Sequence, residues 1–392
     1  MDGMKKFFKE QAQILFPEVW ELAREIGENP ELGYQEFFAV DVLTRFLSRY
    51  GFDVLRPIAG LETAFLARFQ GKKPGPRIAF LAEYDALPEV GHGCGHNLIG
   101  AASAGAGVVL SRSEELLGEV LVIGTPAEET SGAKVTLVKK GIFDRVDAAM
   151  MFHPGSQNVP EVSSLALDAI EFTFIGRSAH AVAAAQFGVN ALEAMITFFN
   201  NVNALKKEIP DDTRINGIIT EGGTTPNIVP DKAVARFYLR APRRKGLDEL
   251  QKKVIHCAKE AASSVSAKVT WRKFENSYDD MLTNRTLAGV FTKNLRELGI
   301  KRISSPQVAM GSVDMGNVSR VVPAIHPYLA LGKGMNIPHT RDYTEAVLSP
   351  AGEKLLLLAI ESLVGTGWDL LNDPKLLKHI KKEFYQETDL WG

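Results

Sequence analysis

The chain has 392 residues, 23% of them charged, with a formal net charge of -2. A single core stops growing near about 250 to 300 residues, so two domains are expected. The near-neutral balance excludes the basic field that nucleic acid demands and the acidic excess of a disordered chain, and it favours a small-molecule ligand. The apolar runs AGAGVVL and LLLLAI fall short of the roughly 18 residues of a spanning helix, so no membrane partner is expected. The opening MDGMKKFFKEQAQILF is charged throughout and predicts a helix rather than a signal peptide. Only two cysteines occur, Cys94 and Cys257, too few for a disulfide framework, and a reduced cytoplasmic setting is expected.

In chain order, four short apolar runs stand out: RIAFLA at 77–82, VLVIGT at 120–125, AAMMF at 148–152 and AIHPYLALG at 324–332. Their near-continuous apolarity predicts strands buried on both faces, and the helical patterns between them predict an α/β catalytic domain with a mainly parallel central sheet. Polar sequence rich in Glu, Asp, His or Cys follows each run. Open parallel sheets bind ligands beyond the carboxyl ends of their strands, so the four segments can converge on one site.

From residue 168 the rhythm changes to AIEFTFIG, helical NALEAMITFFNNVNALKKE, TRINGIITEGG, KAVARFYLRAP, helical GLDELQKKVIHCAKEAASSV and AKVTWRKF. That β-α-β-β-α-β order predicts an inserted ferredoxin-like domain over 168–275, with 1–167 and 276–392 forming the other domain. Within its second helix Leu250, Val254, Cys257 and Ala261 recur at helical spacing, which predicts a buried Cys257.

Cys94 has no such periodic context and calls for a chemical explanation. With His96 it forms a CxH pair flanked by glycines at 93 and 95, which let the backbone bend two donors toward one or two ions. Glu128 and Glu129 follow the second run, His153 follows the third, and His339 lies late in the chain. Thiolate, imidazole and carboxylate together suit zinc, manganese, cobalt or nickel rather than magnesium or calcium. Hydrolysis needs one carboxylate to hold metal and another to take a proton from the attacking water. Each residue alone also suits a bland role: the glutamates a helix start, His153 a turn, His339 a loop.

The motifs AEYDALP (82–88), GHGCGHN (91–97), TPAEETSGAK (125–134), HPG (153–155), GRSAHA (176–181), GGTTPNIVPD (222–231) and HTRDYTE (339–345) together resemble a known family. It is the dinuclear metallopeptidase family of clan MH, of aminoacylase and carboxypeptidase type. The resemblance lies in its amidohydrolase branch, with hippurate hydrolase, indole-acetyl-amino-acid hydrolases and p-aminobenzoyl-glutamate hydrolase, and it spans nearly the whole chain.

What the resemblance implies is an enzyme that hydrolyses an amide bond in a dipeptide or N-acyl amino acid. Cys94, His96, Glu129, His153 and His339 would hold two divalent metal ions, zinc or manganese first, and Glu128 would act as general base. Asp85 and Asp314 would support the ligands. His180, Asn227 and Arg240 would contact substrate, and the inserted domain would act as a lid and pair two copies in a homodimer. Glu83 stands where other branches keep a metal-binding His, and Asn97 where many relatives have Asp. His92, His256, His326 and His379 are expected to be structural or exposed. N-acyl-amino-acid deacylation, or a binding protein without catalysis on the same fold, are the competing expectations.

Overall fold

A computed structural model describes residues 3–308, 311–332 and 337–391. In chain order the elements begin with α1 (Gly3–Glu28), α2 (Phe37–Arg49), β1 (Asp53–Leu55), β2 (Phe65–Gln70), β3 (Lys73–Ala82) and α3 (His96–Ser111). Next come β4 (Leu117–Gly124), α4 (Ala133–Lys139), β5 (Ala148–Met150), β6 (His153–Gly155) and β7 (Val162–Ser163). They are followed by β8 (Ala166–Ile175), α5 (Ala191–Leu205), β9 (Arg214–Glu221), β10 (Lys232–Ala241), α6 (Arg244–Ser264) and β11 (Lys268–Lys273). The chain ends with α7 (Arg285–Glu297), β12 (Gln307–Val308), α8 (Met315–Val318), β13 (Ala324–Ile325), β14 (Tyr328–Ala330), α9 (Arg341–Val347), α10 (Pro350–Asn372) and α11 (Pro374–Trp391).

Contacts divide the chain into two compact units, and Ser164–Asp280 makes up most of the second. The first unit carries a six-stranded sheet of order β1-β2-β4-β3-β5-β13. Its inner pairs β3 with β4, β3 with β5 and β5 with β13 are parallel, while β1 and β2 add an antiparallel edge. This is the mainly parallel sheet that the apolar runs predict.

Helix α3 shows how its composition sets the packing. Residues His96 to Leu110 are all buried, and a side chain at Gly105 would press within 3.1 Å of Val19 and 3.2 Å of Ile360. Small residues therefore let α3 sit close against α1 and α10, with its N-terminus fixed beside the strand ends. Helix α10 is long and apolar enough to cross a membrane by length and composition, yet 72% of that stretch is buried inside the protein, as a core helix requires. Ser349 caps it by accepting the Ala351 N–H, with Pro350 in the first turn.

The run at 324–332 is not one strand. Ala324–Ile325 stays in the main sheet beside β5, whereas Tyr328–Ala330 pairs with β6. Pro327 explains the break, because it has no N–H to continue a ladder.

The second unit is a four-stranded antiparallel sheet of order β11-β8-β10-β9, with α5 and α6 packed on it through Phe198, Val202, Leu250 and Val254. This is the ferredoxin-like strand order. Asp168 on β8 forms an ion pair with Arg244 at the start of α6, two bonds of 3.1 and 2.8 Å. One expectation is corrected here: Cys257 is only partly buried. Ala258, one position along, takes the inward place beside Val254 and Ala261.

Candidate metal centre

Three parallel strands deliver the polar groups of the first unit. Strand β3 ends at Ala82 and is followed by Glu83 and Asp85; β4 ends at Gly124, before Glu128 and Glu129; β5 ends at Met150, just before His153. Helix α3 opens on His96 itself. Gly95 before it has φ 76°, and a Cβ there would lie 2.8 Å from Pro154, so only glycine lets this turn approach the His153 segment so closely. The His339 N–H donates to the Gly93 carbonyl at 2.9 Å, which brings the late HTRDYTE segment to GHGCGHN.

The ligand-type atoms form three overlapping groups, each with its donors within 4.8 Å of one another: Cys94, His96 and His153; Cys94, Glu129 and His339; His96, Glu128 and Glu129. Cys94 and His96 each belong to two of them. Among the described residues, the buried atoms His96 Nε2, Glu129 Oε1 and Glu83 Oε2 find no hydrogen-bond partner. His96 Nε2 stands 3.4 Å from Glu83 Oε2 and 3.8 Å from Glu129 Oε1. Buried polar atoms are rarely left unpaired, and a cluster of converging imidazole, thiol and carboxylate donors is satisfied by divalent cations. The donor set thus fits a dinuclear metal cluster.

The orientation of each imidazole is fixed from behind. His96 Nδ1 faces Asp85 Oδ1 at 3.0 Å, which leaves Nε2 toward the cluster, and His153 Nδ1 faces the Pro154 carbonyl at 2.7 Å. Asp85 also accepts the Glu129 N–H through Oδ2 at 2.9 Å. A single carboxylate therefore sets both a neighbouring imidazole and the backbone of the glutamate loop.

Electrostatics follow from burial and crowding. Burial opposes charge on His96, but Asp85 and Glu83 outweigh it and raise its pKa. Burial, then Glu83 and Asp314, push the Glu128 carboxyl well above its ordinary value. Burial and then Glu129 push the Cys94 thiol up, while burial and then His96 hold His153 down at about 4.

Behind the cluster lies a buried ionic triad whose lysine and Glu83 were not assigned roles from sequence. Lys134 Nζ lies 2.6 Å from Glu83 Oε1 and 2.7 Å from Asp314 Oδ1, and the Lys134 N–H donates to Asp314 Oδ2. All three side chains are buried. Burial would raise the Glu83 carboxyl, but Lys134 and then His96 overcome it and hold it well below the carboxylate range. A lysine in the first turn of the apolar AKVTLVK helix was the available signal.

His326, expected to be structural or exposed, is buried. It is 3% exposed, its Nε2 has no partner among the described residues, and its ring centroid lies 5.5 Å from that of His153 and 5.4 Å from Tyr328. His92 is buried and stays neutral, its pKa lowered to about 3 by burial and then His96. His256 and His379 are exposed. Asn97 donates to the Ala23 carbonyl and ties α3 to α1.

The second unit holds the other predicted residues. His180 and Asn227 lie on neighbouring exposed loops: His180 bridges to Ile228, the Ala181 N–H donates to the Asn227 carbonyl, and His180 Nδ1 accepts the Ala183 N–H at 3.1 Å. Arg240 is on the interior strand β10, with its guanidinium 5.2 Å from the Tyr238 ring centroid.

Comparison with known proteins covers both units. A peptidase dimerisation domain model matches residues 167–266. Xaa-Arg dipeptidase of Mus musculus is 37% identical over 93% of this chain and 88% of its own. A p-aminobenzoyl-glutamate hydrolase chain of Escherichia coli K12 is 28% identical over 94% of this chain and 92% of its own. Among solved structures, an aminobenzoyl-glutamate utilization protein from Klebsiella pneumoniae matches with a TM-score of 0.74 at 21% identity, over 93% of this chain and 98% of that one. A dinuclear metal-binding M20 peptidase from Bacillus subtilis matches with a TM-score of 0.67 at 20% identity, over 89% and 98%.

Proposed function

The chain belongs to the M20 family of dinuclear-metal peptidases and amidohydrolases and is a metal-dependent hydrolase of amide bonds; from that premise we propose that its substrate is a dipeptide with a free carboxylate. The 37% identity to a mammalian Xaa-Arg dipeptidase over most of both chains supports a dipeptide above an N-acyl amino acid. The observation that carries the site assignment is the sharing of Cys94 between two groups of donors, with Glu128 beside Glu129 and His96 in the third.

On this reading Cys94, His96, Glu129, His153 and His339 would hold two divalent ions, zinc or manganese. The chemistry such ions would supply is Lewis acidity, toward the attacking water and the scissile carbonyl. Glu128 takes the proton of the attacking water and hands it to the leaving nitrogen. Asp85 keeps His96 in the tautomer that presents Nε2, and Asp314 holds Lys134 against Glu83. His180, Asn227 and Arg240 are assigned to substrate contact. The dimerisation-domain match over 167–266 supports a homodimer formed through the second unit.

Metal analysis and a panel of dipeptides and N-acyl amino acids, run with wild type and Glu128→Gln, test the reading. Wild type should carry stoichiometric metal, and the variant should keep the metal while losing about 10²- to 10⁴-fold in kcat. Wild type without bound metal, or an unimpaired Glu128→Gln, overturns the mechanism. Preference for N-acyl amino acids over every dipeptide overturns the substrate assignment alone.

A further inference from the structure

The loop that presents Glu128 is held in an unfavourable shape. Ala127, the residue before it, is fully buried and has φ 59°, a left-handed conformation that a side chain disfavours and that persists only where its surroundings impose it. Its carbonyl is engaged forward, accepting the N–H groups of Ser131 and Gly132 at 3.3 and 2.9 Å. Its N–H is engaged backward by a residue from another part of the chain: Glu36 Oε1 accepts it at 2.7 Å.

Glu36 is itself fully buried and sits at the N-terminal boundary of α2, where its side chain caps nothing. The capping task falls to Glu31, whose two oxygens accept the N–H groups of Phe38 and Ala39 at 2.9 and 3.0 Å. The Glu36 carboxylate is thereby released to reach Ala127. Gly33 presses on the same place, since a Cβ there would lie 3.0 Å from the Ala127 Cα, and Ser131 Oγ donates to the Tyr34 hydroxyl at 2.9 Å. The segment also reaches the other loop of the site: the Ala86 N–H donates to the Glu31 carbonyl at 2.8 Å, and Leu32 bridges to Ala86, next to Asp85. Residues 31–36 thus form a strap across both loops.

We infer that Glu36 is a positioning residue for hydrolysis, fixing Ala127 in its left-handed conformation and so aiming the Glu128 carboxylate at the attacking water. The inference rests on the assignment of Glu128 as general base. Glu36 acts on Glu128 through the Ala127 N–H that it accepts. Removing the acceptor lets Ala127 relax toward an ordinary φ and turns the Glu128 side chain away, while Cys94, His96 and His153 on other segments stay in place and Asp85 still holds the Glu129 N–H.

The test compares Glu36→Leu, Glu36→Gln and Glu128→Gln in the metal-loaded enzyme, reading kcat, KM and bound metal separately. Glu36→Leu is expected to lower kcat about 100-fold, the scale of an Ångström misplacement, with KM and metal content within about twofold of wild type. Glu36→Gln keeps an oxygen that accepts from Ala127 and should restore kcat to within about threefold of wild type. Should Glu36→Leu fail to fold, Glu36→Asp, which withdraws the same carboxylate from Ala127, carries the same expectation as the leucine variant. Unchanged kcat in the leucine or aspartate variant overturns the inference, as does loss of metal in proportion to activity or equal loss in Glu36→Gln. An active Glu128→Gln instead overturns the base assignment itself, so the two failures are distinguishable.

Discussion

Asp85 and His96 face each other across 3.0 Å, from Oδ1 to Nδ1, and this contact decides which imidazole nitrogen meets the metal cluster. With Nδ1–H donated to the carboxylate, Nε2 carries the free lone pair. The other carboxylate oxygen takes the Glu129 N–H, so one residue orients donors from two strand ends.

Replacing Asp85 with Ala should therefore weaken metal binding about 10- to 100-fold, the usual cost of losing a partner behind a ligand histidine. Competition against a chelator of known affinity measures it. Wild-type affinity in Asp85→Ala would show that His96 is held by its backbone contacts alone.

The Lys134 triad makes a prediction about stability rather than rate. Lys134→Met leaves Glu83 and Asp314 buried and 2% or less exposed without their cation. Breaking such a pair costs about 3 to 5 kcal/mol, and urea denaturation of the metal-free protein should register a loss of that order. Adding Glu83→Gln to Lys134→Met should recover part of it, because one of the two stranded charges is gone. A Lys134→Met protein as stable as wild type would mean that water reaches the triad freely.

How much of this was legible beforehand depends on the kind of residue. The strands of the first unit and the β-α-β-β-α-β order of the second could be read because burial on two faces or one leaves a periodic trace. Cys94, His96, Glu128, Glu129 and His153 were marked by chemistry-bearing types placed after apolar runs, and His339 by the HTRDYTE motif. Glu36, Lys134 and His326 carry no such mark. Glu36 stands at a helix boundary, where a carboxylate is ordinary. Lys134 follows a glycine and an alanine in a helix start, and His326 precedes a proline inside what reads as one strand. Glu36 is placed by a contact spanning 91 residues and Lys134 by one spanning 180, which local pattern does not encode. The break at Pro327 is the exception, since the missing N–H was visible in the sequence.

With the proposed ligand set, Cys94 is expected to set the metal preference. A buried thiol that joins two donor groups favours borderline and soft ions, and Cys94→Ser substitutes a harder, weaker donor of similar size. The serine variant should lose affinity for zinc and cobalt by a larger factor than for manganese, and the cobalt-loaded form should lose its thiolate charge-transfer absorption. Equal losses for all three ions, with the cobalt absorption intact, would remove Cys94 from the ligand set.

Glu36 also predicts a pH dependence of folding stability. Burial raises its carboxyl to about 7 in the folded protein, against 4.5 for an ordinary glutamate. Below pH 4.5 both folded and unfolded chains keep the proton and the group contributes no difference. Between 4.5 and about 7 the unfolded chain releases its proton while the folded one retains it, so the unfolded state binds fewer protons and stability falls as pH rises. Above about 7 the full cost, on the order of 3 kcal/mol, is present and no longer changes. Glu36→Gln removes the titrating group while keeping an acceptor for Ala127. Its stability measured by urea denaturation, relative to wild type, should therefore rise across this window and level off above it. A difference between the two proteins that stays constant from pH 4.5 to 8 would place the Glu36 carboxyl in the ordinary range and attribute its effect to the Ala127 contact alone.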